Sequence, residues 1–76
     1  MQEICRIIES ALELQEGTVT IEDSMDTIAE WDSLGLLAIL SALEQKYGNC
    51  IAGIDHLARV NSVKDIVDIL KKHSVL

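Results

Sequence analysis

One long segment in the middle of the chain constrains the fold most. Its apolar residues recur at intervals of three and four, as they do on one face of an α-helix: Leu36, Leu37, Leu40, Leu43 and Tyr47. Asp32 or Ser33 can cap the start of this helix, and Gly48 ends the pattern. Leu34 and Ile39 widen the apolar face. We therefore predict that this is the central helix of the fold.

Two further segments carry the same spacing. The apolar residues of the first segment are Ile4, Ile7, Ile8, Ala11 and Leu12. The polar residues between them predict a solvent-facing side: Glu3, Arg6, Glu9 and Glu13. We expect this helix to end near Glu16 and Gly17. The last segment opens at Ser62 with a pattern close to a capping box, and it predicts a helix with an apolar face. That face consists of Val63, Ile66, Val67, Ile69 and Leu70.

Two stretches between these segments are less regular. Residues 18–31 show no sustained period and predict a long loop, which carries function or hides a helical turn. The residues expected to anchor this loop in the core are Val19, Ile21, Met25 and Ile28. Residues 54–60 predict a short helix. Because the chain has no Pro, repeat or alternating strand pattern, we predict an all-α fold, a small four-helix bundle with three longer helices and a short helix 3.

The composition agrees with packed helices. The 76 residues leave room for a single domain, residues 1–76, and little space for an enclosed active site. Hydrophobic residues make up 49% of the chain, with no Phe, one Trp and one Tyr, so the core is built from Ile, Leu, Val and Ala. The longest apolar stretch, 34–43, is too short to cross a bilayer.

The charge of the chain limits its partners. Six basic and thirteen acidic residues give a formal net charge of −7. Because phosphate binding needs clustered Lys and Arg, this balance argues against nucleic acid and anionic membranes and favours basic proteins. The acidity belongs to residues 1–32, which hold nine acids and one base.

The cysteines and histidines favour neither a metal site nor catalysis. Cys5 and Cys50 form no CxxC pair, and without a signal-peptide pattern we expect a reducing cytoplasm. The acidic loop lacks an EF-hand spacing, so no metal is predicted. A serine hydrolase is disfavoured because there is no GxSxG motif and neither His56 nor His73 is placed as a base. We expect a monomer without catalytic activity of its own.

Ser33 is the residue with the clearest chemical potential. It stands where a polar loop meets the start of the most apolar helix, between Asp32 and Leu34. A helix start offers backbone N–H groups and a positive dipole end, which together favour a phosphate bonded to a side chain there. The simplest alternative is that Ser33 only caps the helix.

Asp32-Ser33-Leu34 resembles the motif of the acyl carrier protein family, in which the serine receives 4′-phosphopantetheine from coenzyme A. The resemblance implies the family's four-helix bundle, and it covers essentially the whole chain. It extends through Leu43-Glu44, Tyr47-Gly48, Ile51 and Asn61-Ser62-Val63.

The resemblance implies a carrier that holds acyl groups as thioesters on a phosphopantetheine arm attached to Ser33. A phosphopantetheinyl transferase (holo-carrier-protein synthase), working with magnesium, would attach the arm. Acyl- or aminoacyl-loading enzymes, acyltransferases and condensing enzymes would then be the partners. The residues that would contact partners are Asp32, Leu34, Leu37, Glu44 and Ile51.

The sequence also departs from the fatty-acid members of the family. They typically carry an acid after Asp-Ser-Leu, where this chain has Gly35, and its short third helix bears His56 and Arg59. These differences favour a specialised pathway, such as polyketide, modified-lipid or activated amino-acid synthesis. An aminoacyl carrier of the D-alanyl or peptidyl type stays open, although Glu30 to Ser33 lacks the Gly-Gly-x-Ser context of peptidyl carriers. An unmodified helical interaction module is the third alternative.

Overall fold

Helix α2, Ser33–Tyr47, is the longest element of the computed structural model, which describes residues 2–75. Asp32 caps its start, since the side chain accepts a hydrogen bond from the Gly35 N–H. Gly48 ends it with a φ of 90°, a conformation that glycine adopts at little cost, and its N–H donates to the Glu44 carbonyl at 2.8 Å. Both predicted ends of this helix are confirmed.

The apolar residues of α2 differ in burial. Ile39 and Leu43 are completely buried, whereas Leu36 and Leu40 are partly buried. Leu37 shares the helical spacing of the apolar face, but 62% of its surface is exposed. Since α2 is apolar on most sides, its spacing alone could not say which side faces the core. Helix α1 and a 3₁₀ helix cover the buried side.

Helix α1, Gln2–Ala11, packs antiparallel to α2. Near its start, Glu3 Oε1 lies 2.9 Å from Lys46 Nζ at the end of α2. Near its end, the Leu12 side chain lies beside Gly35 in the first turn of α2. Ile4 and Ile8 face the core and are completely buried.

Helix α1 ends earlier than the predicted end near Glu16. Glu13 adopts a left-handed conformation with a φ of 60°, which turns the chain out of the helix. The Glu13 N–H donates to the Ser10 carbonyl at 3.3 Å, and the Leu14 N–H donates to the Glu9 carbonyl at 2.8 Å. This pair of hydrogen bonds is a Schellman motif, and no glycine marked it in the sequence.

Helix α3, Val63–Lys72, completes the core. Ser62 caps its start, with the side-chain hydroxyl accepting a hydrogen bond from the Asp65 N–H at 3.1 Å, as predicted. The side chains that fill the centre of the fold come from every helix. They are Ile4, Ile8, Trp31, Ile39, Leu43, Leu57, Val63, Ile66 and Leu70.

The predicted short helix at residues 54–60 takes the form of a 3₁₀ helix, Asp55–Arg59, which buries Leu57. Residues 2–75 therefore form a compact helical structure with three α-helices and one 3₁₀ helix. Within this range there is no β-strand, only an isolated bridge between Ser24 and Ser62. No helix in the described range is both long enough and apolar enough to span a bilayer.

The long loop between α1 and α2 packs on the core through the four residues predicted to anchor it. Val19 and Ile28 are buried, while Ile21 and Met25 are partly buried. The Met25 N–H donates to the Asn61 carbonyl at 2.8 Å, which ties the loop to the start of α3. The helical turn expected inside the loop lies at residues 24–28, where the Ile28 N–H donates to the Ser24 carbonyl at 3.0 Å.

Glu9 anchors the first part of this loop. It was predicted on the solvent-facing side of α1, and that prediction is wrong because only 3% of its surface is exposed. Its Oε2 accepts a hydrogen bond from the Val19 N–H at 2.8 Å, and its Oε1 lies 3.7 Å from Arg6 Nε. The loop folds over Glu9 and buries a side chain that would otherwise lie on the polar side of α1.

We expect Glu9→Ala to lower the free energy of unfolding by about 1–3 kcal/mol, because the buried Val19 N–H loses its acceptor. Urea unfolding followed by circular dichroism measures this loss. Glu44→Ala is the matched control, since Glu44 is an exposed glutamate on α2 and its removal should change stability by less than about 0.5 kcal/mol. Equal stability of the two variants would contradict an anchoring role for Glu9.

Candidate functional site

Ser33 is the first residue of α2 and is exposed. The residues before it explain why it faces solvent. Trp31 is inserted into the core with 2% of its surface exposed, as expected for an aromatic residue just before a helix. Asp32 and Ser33 then lie at the surface. The buried Trp31 and the first turn of α2 together hold the Ser33 backbone.

Asp32 organises the first turn of α2. Its Oδ1 accepts a hydrogen bond from the Gly35 N–H at 2.8 Å, and its carbonyl accepts one from the Leu36 N–H at 2.8 Å. Asp32, rather than Ser33, is thus the capping residue, so the hydroxyl of Ser33 is not needed to begin the helix. The positive end of the helix dipole lies beside that hydroxyl.

Two exposed leucines lie next to Ser33. Leu34 is 77% exposed and Leu37 is 62% exposed, and helical spacing places both on the same side of α2. We call this pair the apolar patch. Large apolar side chains exposed together mark contact surfaces. Three of the predicted partner-contact residues, Asp32, Leu34 and Leu37, therefore lie beside Ser33.

The other two predicted partner-contact residues lie elsewhere. Glu44 is eleven residues beyond Ser33, which is about 16 Å along a helix. Ile51 is buried, with 3% of its surface exposed. Both residues line a groove of about 660 Å³ between the second half of α2 and the 3₁₀ helix, together with Leu40 and Leu57. The candidate site thus has two separate parts. One is the start of α2 around Ser33, and the other is the groove beside the second half of α2.

Gly35 has a structural role that its sequence position did not reveal. It is buried, and a Cβ atom at this position would overlap the carbonyl oxygen of Glu30 and lie 3.0 Å from Leu12 Cδ2. From the sequence, Gly35 was notable only as a position without an acid after Asp32-Ser33-Leu34. The one available signal was a glycine inside a helix, where it is unfavourable without a packing reason.

The two cysteines differ in burial and in their surroundings. Burial raises the pKa of the Cys5 thiol, and the Glu9 carboxylate raises it further, so Cys5 is a poor nucleophile. Cys50 is exposed, and its Sγ donates to the Tyr47 carbonyl at 3.3 Å. In the part of the chain that the structure describes, no group of three or more His, Cys, Asp or Glu side chains could hold a metal ion.

The fold and site describe a class of small helical protein that presents an exposed serine at a capped helix start, beside an apolar patch. The chain is similar to an acyl carrier protein of Coprothermobacter proteolyticus, with 28% identity over 72 residues. The alignment covers 95% of this chain and 87% of that protein. This distant similarity, over nearly the whole chain, supports the resemblance to the acyl carrier protein family and a carrier role. No family model matches the chain. No solved structure matches it either.

Proposed function

We propose that this chain is an acyl carrier protein that carries its cargo on a 4′-phosphopantetheine arm attached to Ser33. The observation that carries the proposal is the position of Ser33, exposed at the first residue of α2 and directly after the capping Asp32. The similarity to an acyl carrier protein over nearly the whole chain supports it independently. The protein would catalyse nothing itself.

The surroundings of Ser33 fit a phosphodiester. The hydroxyl is free of a capping role, and the helix start favours negative charge there. In the attachment reaction, the hydroxyl oxygen bonds to the pantetheine-bearing phosphorus of coenzyme A and gives its proton to a base on the transferase. The bond between that phosphorus and the bridging oxygen breaks, and adenosine 3′,5′-bisphosphate leaves with the electron pair. Once attached, the arm supplies the thiol that holds cargo as a thioester.

The rest of the surface suggests where partners and cargo bind. The apolar patch of Leu34 and Leu37 would contact the phosphopantetheinyl transferase and then the loading, acyltransferase or condensing enzymes. The groove is lined by apolar residues, among them Leu40 and Leu57, and by the charged Glu44, Asp55 and Arg59, and we propose that it takes part of an acyl chain. We propose that the 3₁₀ helix is the counterpart of the family's short third helix, which would complete a four-helix arrangement. A cytoplasmic monomer is the proposed working form.

The charge of the α2 surface bears on the pathway that this carrier serves. Between Ser33 and Leu43, α2 carries no charged side chain, so this surface offers no acids to a basic partner. That favours a dedicated lipid or polyketide pathway over general fatty-acid synthesis. An aminoacyl carrier would use the same Ser33 arm with a different loading enzyme. Loading assays on the arm-bearing protein, with acyl donors and with activated amino acids, separate these two possibilities.

The proposal is tested by intact mass after incubating the chain with coenzyme A, magnesium and a broad-specificity phosphopantetheinyl transferase. A gain of one phosphopantetheine is expected. No gain with several transferases would reject the carrier and leave the unmodified interaction module.

Two substitutions of Asp32 separate its role in capping α2 from a role in contacting the transferase. Asp32→Ala should lower the free energy of unfolding by about 1 kcal/mol, because the Gly35 N–H loses its acceptor. Asp32→Asn should preserve stability, since asparagine caps equally well, yet it should slow phosphopantetheine transfer if the carboxylate charge engages the transferase. Urea unfolding and transfer kinetics measure the two effects. Unchanged transfer in Asp32→Asn would limit Asp32 to capping.

A further inference from the structure

Two backbone-level contacts and one buried side chain hold the segment before Ser33 in place. We call Glu30, Trp31 and Asp32 the strap. The Glu30 carbonyl lies directly against Gly35, closely enough that a Cβ atom on residue 35 would overlap it. Asp32 Oδ1 accepts a hydrogen bond from the N–H of the same Gly35 at 2.8 Å. Trp31, between them, has 2% of its surface exposed. Both contacts therefore meet at one glycine.

Packing, and not a hydrogen bond, holds the Trp31 ring of the strap. The indole N–H of Trp31 is buried and has no acceptor within residues 2–75, so nothing polar locks the ring in place. Glu30 is exposed, and its contact with Gly35 is made by the backbone. A side chain at position 35 could not be relieved by a rotamer change, because the atom it meets is a backbone oxygen. The backbone of the strap would have to move.

We infer that Gly35 is a positioning residue that, by admitting the Glu30 carbonyl, sets how Ser33 is presented to the enzyme that modifies it. This inference rests on the proposed function. The strap ends at the residue next to Ser33, so its displacement changes the direction of the hydroxyl relative to the apolar patch of Leu34 and Leu37. Because bond formation requires an aligned oxygen, a displacement of about 1 Å is enough to slow transfer by one or two orders of magnitude.

The first part of the test follows the strap itself. Trp31 is the only tryptophan, so its fluorescence reports the strap without labelling. In Gly35→Ala, we expect a red-shifted emission and faster acrylamide quenching than in the wild type. Gly53→Ala is the matched control, because a Cβ atom there would lie 3.6 Å from the Cys50 carbonyl, an ordinary contact. Unchanged emission and quenching in Gly35→Ala would overturn the inference.

The second part measures phosphopantetheine transfer at a low temperature, where circular dichroism shows both variants folded. We expect kcat/KM for Gly35→Ala to fall about tenfold or more, mainly through kcat, while Gly53→Ala matches the wild type. A purely structural role would lower the melting temperature and leave kcat/KM of the folded protein unchanged, and that result would overturn the inference. Alanine is also a better helix former than glycine, so lower stability in Gly35→Ala would itself support the overlap.

A second pair of variants avoids a steric change in the core, in case Gly35→Ala does not fold. Glu30→Gly loosens the strap backbone, whereas Glu30→Ala removes the same charge and keeps the backbone restrained. We expect faster Trp31 quenching and a lower kcat/KM in Glu30→Gly than in Glu30→Ala, and equal values would overturn the inference. If the wild-type chain is not modified at all, the proposed carrier function is rejected, and the proposed role of Gly35 in presenting Ser33 is rejected with it. The quenching of Trp31 fluorescence would still show separately whether a side chain at position 35 displaces the strap.

Discussion

Ser33→Ala is expected to abolish phosphopantetheine attachment, so that the intact mass stays that of the unmodified chain after incubation with coenzyme A, magnesium and transferase. The reason is the loss of the exposed hydroxyl at the helix start, which is not engaged in capping. Because Asp32 holds the first turn, the free energy of unfolding should change by less than about 0.5 kcal/mol. Urea unfolding of the unmodified proteins measures this second expectation.

Ser41→Ala is the matched control for Ser33→Ala, since Ser41 is another exposed serine on α2. It should gain one phosphopantetheine at the wild-type rate. Attachment to the Ser33→Ala protein would show that another residue carries the arm, and the site assignment would be wrong. Loss of helical structure in Ser33→Ala would instead show that the hydroxyl supports the fold.

Leu43→Ala is expected to produce the largest loss of stability on α2, about 2–5 kcal/mol, because the side chain is completely buried and its removal leaves a cavity. Domains commonly have only about 5–15 kcal/mol of total stability, so a large share of this small domain's stability would be lost. Chemical denaturation monitored by circular dichroism measures the change. A low unfolding midpoint is expected even where the native fold persists.

Leu37→Ala provides the control, with the same change of side chain on the same helix. Leu37 is 62% exposed, so its removal should alter the free energy of unfolding by less than about 0.5 kcal/mol. It should instead raise the KM for phosphopantetheine transfer, because it removes half of the apolar patch. A large stability loss in Leu37→Ala, or none in Leu43→Ala, would contradict the burial described for α2.

The ends of the helices show which features can be predicted from local chemistry. Asp32 and Gly48 bound α2 and Ser62 caps α3, as their side chains and backbone preferences predict, because a cap acts within a few residues. The end of α1 was predicted too late. Its Schellman motif places Glu13 in a left-handed conformation, which glutamate seldom adopts. The residue types near this end therefore did not predict where the helix stops.

The sequence by itself determined the helical character of this chain, the long loop, and Ser33 as the candidate attachment site with Asp32 before it. Each depends on spacing, composition or a short motif. Only the tertiary structure decided that Leu43 is buried while Leu37 is exposed, and that the loop covers Glu9. It also decided that Gly35 receives the Glu30 carbonyl. These features depend on which element packs against which side of a helix, and a helical period describes only one helix at a time.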